Sequence, residues 1–417
     1  MVRVHALVVA FAATLLAITP RAGAEFALRA HDRVVFLGDS NTAPSDSYVA
    51  TIERYTLLRF PDARIRIFNA GAGGDTAETA LGRLERDVFA RRTTVLVVVL
   101  GINDVGWGAA TDAAHVEAHL AAMRHIVERC HERSVRVVVV SYPVTGSDPS
   151  ASEGAVFQTM ADRVLAMAAS LGAATIDAQR TMRDVQRRLW DHNAGAPPER
   201  RVTLYRRDGI HLNDLGQLAL AYAVLKGLGA PRDVSSVTLD ARGPAVVTAS
   251  GAVVTDLAAS GGTLSFTRWD AGSPMTLGAF APLTVLPWVP FTDELGRYLL
   301  AIGGLPPGRY ALEVDGRLVA TFSEAELAQG INLTALRPDP WAPTTPWDVE
   351  STILDVLTST KARLVATQPL ADELLDAPPA RHRLQRALAR VIARAAAAQS
   401  AVAAPTPRRF VVRAAGR

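Results

Sequence analysis

Five residues of this chain have the types that acyl transfer requires: Ser40, Gly74, Asn103, Asp208 and His211. Such a reaction needs a nucleophile, a base to take its proton, a group to orient the base, and donors for the developing oxyanion. Ser40 offers the nucleophile. His211 offers the base, because imidazole titrates near neutral pH. Asp208 stands three residues upstream, across a turn that Gly209 eases, so its carboxylate can reach the ring's other nitrogen. The backbone N–H groups of Ser40 and Gly74 and the amide of Asn103 can hold the oxyanion. Glycine suits position 74, where a side chain would obstruct the substrate carbonyl. Each residue also has an ordinary use. Asp39 or Ser40 can open a helix, Asp208-Gly209 can be a plain turn, and Asn103-Asp104 can be a cap. Their joint occurrence in this order, each past a strand end, favours the chemical reading.

The elements that must position these residues are legible as an alternation. Val34 to Leu37, Arg64 to Phe68, Thr94 to Leu100, Val135 to Ser141 and Ala173 to Ile176 are short β-rich runs. Between and after them lie helical patterns at about 46–59, 75–91, 113–133, 152–171, 179–192 and 214–228. Continuous apolar strands alternating with helices predict a parallel sheet covered on both faces. Such sheets bind ligands just past the carboxyl ends of their strands. Gly38-Asp39-Ser40, Asn69 to Thr76 and Gly101 to Asp104 follow strands one, two and three, and Asp208 to His211 precedes the last helix.

These four stretches resemble the four sequence blocks of the SGNH hydrolases, also called the GDSL esterase/lipase superfamily. Gly38-Asp39-Ser40 matches the nucleophile block, Gly74 the glycine of the second block, Asn103 the Asn of Gly-x-Asn-Asp, and Asp208 and His211 the Asp-x-x-His block. The resemblance covers about 33–229. It implies a flavodoxin-like three-layer α/β/α fold and ester hydrolysis through a covalent acyl-enzyme. In that reading Ser40, Asp208 and His211 are catalytic, Ser40, Gly74 and Asn103 form the oxyanion hole, and no metal or other cofactor takes part. One departure is Asn41, where the family's name has Leu.

At 417 residues the chain exceeds one ordinary domain. A net charge of +3, with arginine interspersed among Asp and Glu, gives no reason to expect nucleic acid as a partner. Arg3 and His5 precede an apolar run from Ala6 to Ile18, and Ala22-Gly23-Ala24 fits a cleavage site. That run is short for a membrane span. The expectation is a signal peptide over 1–24 and a periplasmic or extracellular mature chain starting at Glu25, with a retained anchor as the alternative. The SGNH domain then occupies 25–230. Short strands divided by Gly and Pro clusters predict a small antiparallel β unit over 231–335, resembling the appendage of some exported bacterial members. A Pro- and Trp-bearing connector, two helices and a basic tail fill 336–417. Within the β unit, Asp315-Gly316 predicts a hairpin turn, and Ser323 to Glu326 a capping box.

Other motifs carry less. Gly71-x-Gly73-x-x-Thr76 lacks the third glycine of a dinucleotide fingerprint, and no Gly-x-Ser-x-Gly elbow occurs. His115 and His119 share a helix face but lack the zinc-protease Glu, so they read as bystanders. Cys130 reads as a buried inert thiol. Arg383, Arg386, Arg390 and Arg394 read as a solvated helix face. Trp107 and Tyr142 are candidates to line an acyl or sugar pocket, while Trp269, Trp288, Trp341 and Trp347 read as interdomain packing. The expected function is an exported serine esterase, a carbohydrate O-deacetylase or small-acyl esterase. The alternatives are a glycan O-acetyltransferase using the same triad and a catalytically silent glycan-binding module.

Overall fold

In the computed structural model, the described residues are 26–153, 155–278, 281–336, 345–374 and 378–415. The leader expected over 1–24 and Trp341 of the connector lie outside them. Five strands form the first sheet: β1 (Arg33–Gly38), β2 (Arg66–Gly71), β3 (Val95–Val99), β4 (Arg136–Val140) and β5 (Ala174–Ile176). All pair in parallel, in the order β2-β1-β3-β4-β5. This is the flavodoxin-like order, whose ligand crevice opens where neighbouring connections diverge, between β1 and β3.

Side-chain alternation explains why both faces are covered. Val34 and Phe36 of β1 and Val95, Val97 and Val99 of β3 point into one core. Val35, Leu37, Leu96 and Val98 point into the other. The first face is roofed by α1 (Tyr48–Arg59), and further along the chain by α7 (Ala178–Ala194) and α8 (Asp214–Gly227). The second is covered by α2 (Ala77–Gly82), α3 (Leu84–Asp87), α4 (Ala113–Glu132) and α6 (Val156–Ser170), with the short α5 (Pro149–Glu153) preceding α6. Each fully buried Val, Leu, Ile or Phe contributes about 1.5–3 kcal/mol, so a run such as Val34 to Leu37 pins the nucleophile strand firmly.

The helix expected over 75–91 is broken. A turn at Gly82–Arg83 divides α2 from α3, because Arg83 is engaged by the active-site loops. Cys130 is buried against the second face, where burial pushes its thiol up to about 12. No helix among the described residues is long and apolar enough to cross a membrane.

The remainder is a two-sheet sandwich with a hairpin of helices. Its strands are β6 (Asp233–Asp240), β7 (Ala245–Ser250), β8 (Ala252–Ser260), β9 (Thr263–Asp270), β10 (Arg297–Gly303), β11 (Arg309–Val314), β12 (Arg317–Ser323), β13 (Ile331–Asn332) and β14 (Arg408–Ala414). The sheets run β13-β10-β6-β7 and β12-β11-β14-β9-β8. Asp315 and Gly316 turn the β11–β12 hairpin with φ of 51° and 77°, and Ser323 and Glu326 form the capping box.

Three features differ from expectation. The β6–β10 pair is parallel. The basic tail is a strand, β14, inserted antiparallel between β11 and β9. Its Phe410 and Val412 enter the sandwich core, so the β unit does not close at residue 335. The division at 230 is not a core boundary either. Met275, Val289, Phe291, Leu295, Leu354 and Ala403 all join the first core of the catalytic sheet.

The helical hairpin, α12 (Pro346–Leu374) and α13 (Pro378–Ala403), follows the short helices α9 (Ala281–Thr284), α10 (Phe291–Leu295) and α11 (Glu324–Gln329). It lies on α1, with Arg54 paired to Asp355 at 2.6 Å and Glu53 paired to Lys361. Trp288 stacks obliquely on His192 of α7 at 4.7 Å, and Trp347 is buried edge-on to Tyr298 at 5.4 Å. Trp269 is instead partly exposed.

Candidate active site

The nucleophile turn is closed immediately after β1. The N–H groups of Thr42 and Ala43 both donate to the carbonyl of Asp39 at 3.0 Å, closing a tight turn that lifts Ser40 off the strand. The turn lies so close to the sheet that a Cβ on Gly38 would sit 2.1 Å from Thr42 Oγ1 and 2.9 Å from the Val99 carbonyl oxygen. Only glycine fits there. Ser40 Oγ lies 2.9 Å from His211 Nε2, and His211 Nδ1 lies 2.8 Å from Asp208 Oδ2. Asp208 is itself fixed by the turn it begins. Its Oδ1 accepts the N–H of Ile210 at 2.9 Å and that of His211 at 2.8 Å. Those backbone donors, Ile210 first, hold its carboxyl down at about 2. It therefore stays anionic wherever imidazole can act as a base, and Nδ1 keeps its proton while Nε2 faces the serine.

Three of the sequence-derived residues thus form one hydrogen-bonded chain. Gly74 and Asn103, expected to supply oxyanion donors, stand on the neighbouring loops, after β2 and β3. Asn103 donates from Nδ2 to the Asp75 carbonyl at 2.9 Å and accepts from Trp107 Nε1 at 2.8 Å. The reason for glycine at position 74 differs from the one expected. A Cβ there would meet no protein atom within 4 Å, whereas its φ of +80° is what demands glycine. The loop is tied down by Arg83, whose guanidinium pairs with Asp75, bonds Asp87 at 2.8 Å and reaches the Gly38 carbonyl at 3.3 Å. Holding Arg83 in that place is why α2 ends there.

Tyr142 does not line a pocket. It is buried, and its hydroxyl accepts from Asn41 Nδ2 at 2.6 Å. Asn41, the departure from the family's name, is bonded to both the nucleophile loop and the histidine loop. Its N–H donates to Asp39 Oδ1 at 2.9 Å, its Oδ1 accepts the N–H of Leu212 at 2.8 Å, and its carbonyl accepts from Gln217 Nε2 at 3.1 Å. The residue after the nucleophile is thereby bonded to the residue after the base. Trp107 stands edge-on to His211, with ring centroids 5.5 Å apart, and is 51% exposed.

Sequence reasoning missed the second layer. Asn69 donates to the Thr42 carbonyl at 2.6 Å and steadies the nucleophile turn. Asp104 accepts the N–H of Ala77 at 2.9 Å, and buried His119 lies 3.0 Å from Asp104 without the alignment of a hydrogen bond. His115 instead pairs with Asp112, so the two histidines do not converge. Behind the turn, Asp39 is buried with Oδ2 unpartnered. Burial pushes its carboxyl up to about 7, with Asp104 and Asp75 adding to the rise.

Residues 36–219 match the GDSL-like lipase/acylhydrolase family model. The matched stretch contains all four sequence blocks and gives the chain an SGNH-type esterase domain. Its fold is similar to that of a gut microbial diltiazem-metabolizing enzyme, at a TM-score of 0.76 and 23% identity over 93% of this chain and 98% of that one. The likeness therefore spans the appended sandwich and helices as well as the esterase fold. An alpha/beta hydrolase from the metagenome of Lake Arreo, Spain, aligns at 22% identity and a TM-score of 0.41, over 49% of this chain and 98% of that one. An acetylxylan esterase from Geobacillus stearothermophilus aligns at 18% identity and a TM-score of 0.40, over 48% and 95%. No curated protein matches the chain.

Proposed function

We propose that this esterase removes acetyl or other small acyl groups from a carbohydrate, as an exported enzyme. The observation that carries the reading is the continuous chain Ser40 Oγ–His211 Nε2, His211 Nδ1–Asp208 Oδ2, at 2.9 and 2.8 Å. Ser40 attacks the ester carbonyl as His211 takes its proton, and the tetrahedral oxyanion is met by the N–H groups of Ser40 and Gly74 and by the Asn103 amide. Collapse expels the alcohol, to which His211 returns the proton. Water then repeats the sequence on the acyl-enzyme. Asp208 keeps the ring oriented and offsets the imidazolium charge.

The small-acyl preference follows from openness. His211 and Asp208 keep 26% and 37% of their side-chain surfaces exposed, and Trp107 beside them offers a flat aromatic face of the kind that suits a sugar ring. An open edge accommodates a bulky alcohol with a short acyl group. The test is acetate release from a panel of acetylated polysaccharides, with Ser40→Ala as the blank. Release that survives in Ser40→Ala overturns the mechanism, and activity confined to long-chain esters overturns the substrate class. Acyl transfer to added oligosaccharide exceeding free acetate would reassign the enzyme as a transferase. Export is tested separately: a mature chain beginning at Glu25 in the secreted fraction supports it, and an intact cytoplasmic N-terminus rejects it.

A further inference from the structure

The indole of Trp107 stands on a backbone that tryptophan adopts unwillingly. Gly106, Trp107 and Gly108 have φ of 52°, 59° and 96°. Glycine takes such values freely, whereas a residue with a Cβ is strained there. The turn is nevertheless closed by backbone bonds. The N–H of Trp107 donates to Ile102 at 2.9 Å, that of Gly106 to Asn103 at 3.1 Å, and that of Gly108 to Val105 at 2.9 Å. Strain held in place by its surroundings beside a reactive centre points toward a use.

The use is visible at the far end of the side chain. Trp107 Nε1–H donates to Asn103 Oδ1 at 2.8 Å, while Asn103 Nδ2 donates to the Asp75 carbonyl at 2.9 Å. The two ends of an asparagine amide have nearly the same shape, so only their partners decide which way it points. An indole N–H can only donate, which forces the amide oxygen toward Trp107 and the NH2 group away from it. One hydrogen of that group meets Asp75, and the other is left for the oxyanion. The indole bond also pulls electron density toward Oδ1, which strengthens the amide N–H as a donor.

We propose that Trp107 is a positioning residue: its indole N–H sets and polarises the Asn103 amide as an oxyanion donor. This rests on the acyl-transfer reading of the site. A tryptophan that served only as a wall for substrate would change KM, and would do so whatever stood at 103.

The experiment is a double-mutant cycle on p-nitrophenyl acetate with Trp107→Phe and Asn103→Ala. Phenylalanine keeps an aromatic ring beside His211 and the same backbone demand but loses the donor. Loss of one oxyanion donor outright typically costs about 100- to 1000-fold in kcat, so misaligning it in Trp107→Phe is expected to lower kcat about tenfold with KM within about twofold. In the Asn103→Ala background the same substitution is expected to change kcat by less than about twofold, because coupled residues are not additive. Equal loss in both backgrounds, or an effect on KM alone, overturns the proposal. An unchanged melting temperature for Trp107→Phe shows that the turn has not collapsed. If it does collapse, Trp107→His, whose ring can still donate, is read instead: kcat kept within about threefold of the parent supports the proposal, and a loss of about tenfold or more in a variant that melts like the parent overturns it. Failure of the acyl-transfer reading would show elsewhere, as activity retained by Ser40→Ala.

Discussion

The catalytic chain and a cluster in the appended sandwich are built from nearly the same parts. In the sandwich, Asp270 Oδ1 accepts from Ser235 Oγ and from Arg268 Nε at 2.9 Å, and its Oδ2 accepts from Tyr298 at 2.7 Å. Arg268 also bonds the Leu299 carbonyl at 3.1 Å and lies over the Tyr298 ring at 4.0 Å. Both constellations thus join a carboxylate, a nitrogen-bearing side chain and a serine, an imidazole in one and a guanidinium in the other. The sandwich cluster is sealed, with Arg268 fully buried and both carboxylate oxygens satisfied, and it links strands of the two sheets. The triad lies on loops at an open sheet edge, with Ser40 half-buried and its hydroxyl held by His211 at 2.9 Å. A closed polar network fixes a structure, and the same network with one member left reactive and reachable does chemistry.

The largest effect that separates the two is on rate. Ser40→Ala is expected to lower kcat by about 10⁴-fold or more, as loss of a serine nucleophile does, without lowering the melting temperature. Esterase assay and thermal melting together check it, and a fall in stability as large as that of a broken sealed cluster would undo the contrast. Asp270→Ala should behave in the opposite way. It strands a buried guanidinium, which costs about 3–5 kcal/mol, while kcat measured below the new transition stays within a factor of about two. Denaturant unfolding measures the first quantity. A loss under about 1 kcal/mol would mean that the cluster does not hold the sandwich.

The triad was legible because its members are local. Each stands next to a strand or helix whose apolar pattern announces itself, and Asp208 reaches His211 within one turn. What escaped was whatever depends on a distant partner. Nothing near Asn41 or Tyr142 shows that they bond each other, and nothing in Leu84 to Arg91 shows that Arg83 must break the helix to reach Asp75. The same holds for the fold. Val34 to Leu37 and Val95 to Val99 are apolar on both sides, so their strands could be read directly. Ala245–Ser250 is exposed throughout and lacks any alternation to mark it. Arg408–Ala414 looks like a polar tail until β9 and β11, far back in the chain, supply its two neighbours.

Asn41 sharpens the comparison, because it gives the open network some of the rigidity that burial gives the sealed one. Asn41→Leu installs the residue of the family's name and removes the bonds to Tyr142 and Leu212. Activity is expected to fall about 30-fold, mainly in kcat, since misplacement of catalytic groups by a fraction of an ångström acts on the chemical step. Asn41→Asp, which retains the acceptor for Leu212 but not the donor to Tyr142, should fall between the two. Full activity in Asn41→Leu would show that packing alone keeps the two catalytic loops together.

The smallest effect tests the one place where the catalytic edge is itself sealed. Asp39 lies directly under the nucleophile with one oxygen unpartnered, and burial raises its carboxyl from 3.8 to about 7. The folded protein therefore binds a proton that the unfolded chain has released across that window. Stability must then fall as pH rises from about 4 to about 7, and level off above, because the slope follows the excess of protons held by the folded state. The carboxamide introduced by Asp39→Asn cannot ionise and still offers Asn41 an acceptor, so the variant should be spared this loss. Its stability relative to the parent is expected to improve by about 1–2 kcal/mol between about pH 5.5 and 7.5, as read from paired melting curves. Parallel curves would show that Asp39 is ionised in the folded protein, and that a charge, not a neutral acid, lies beneath Ser40.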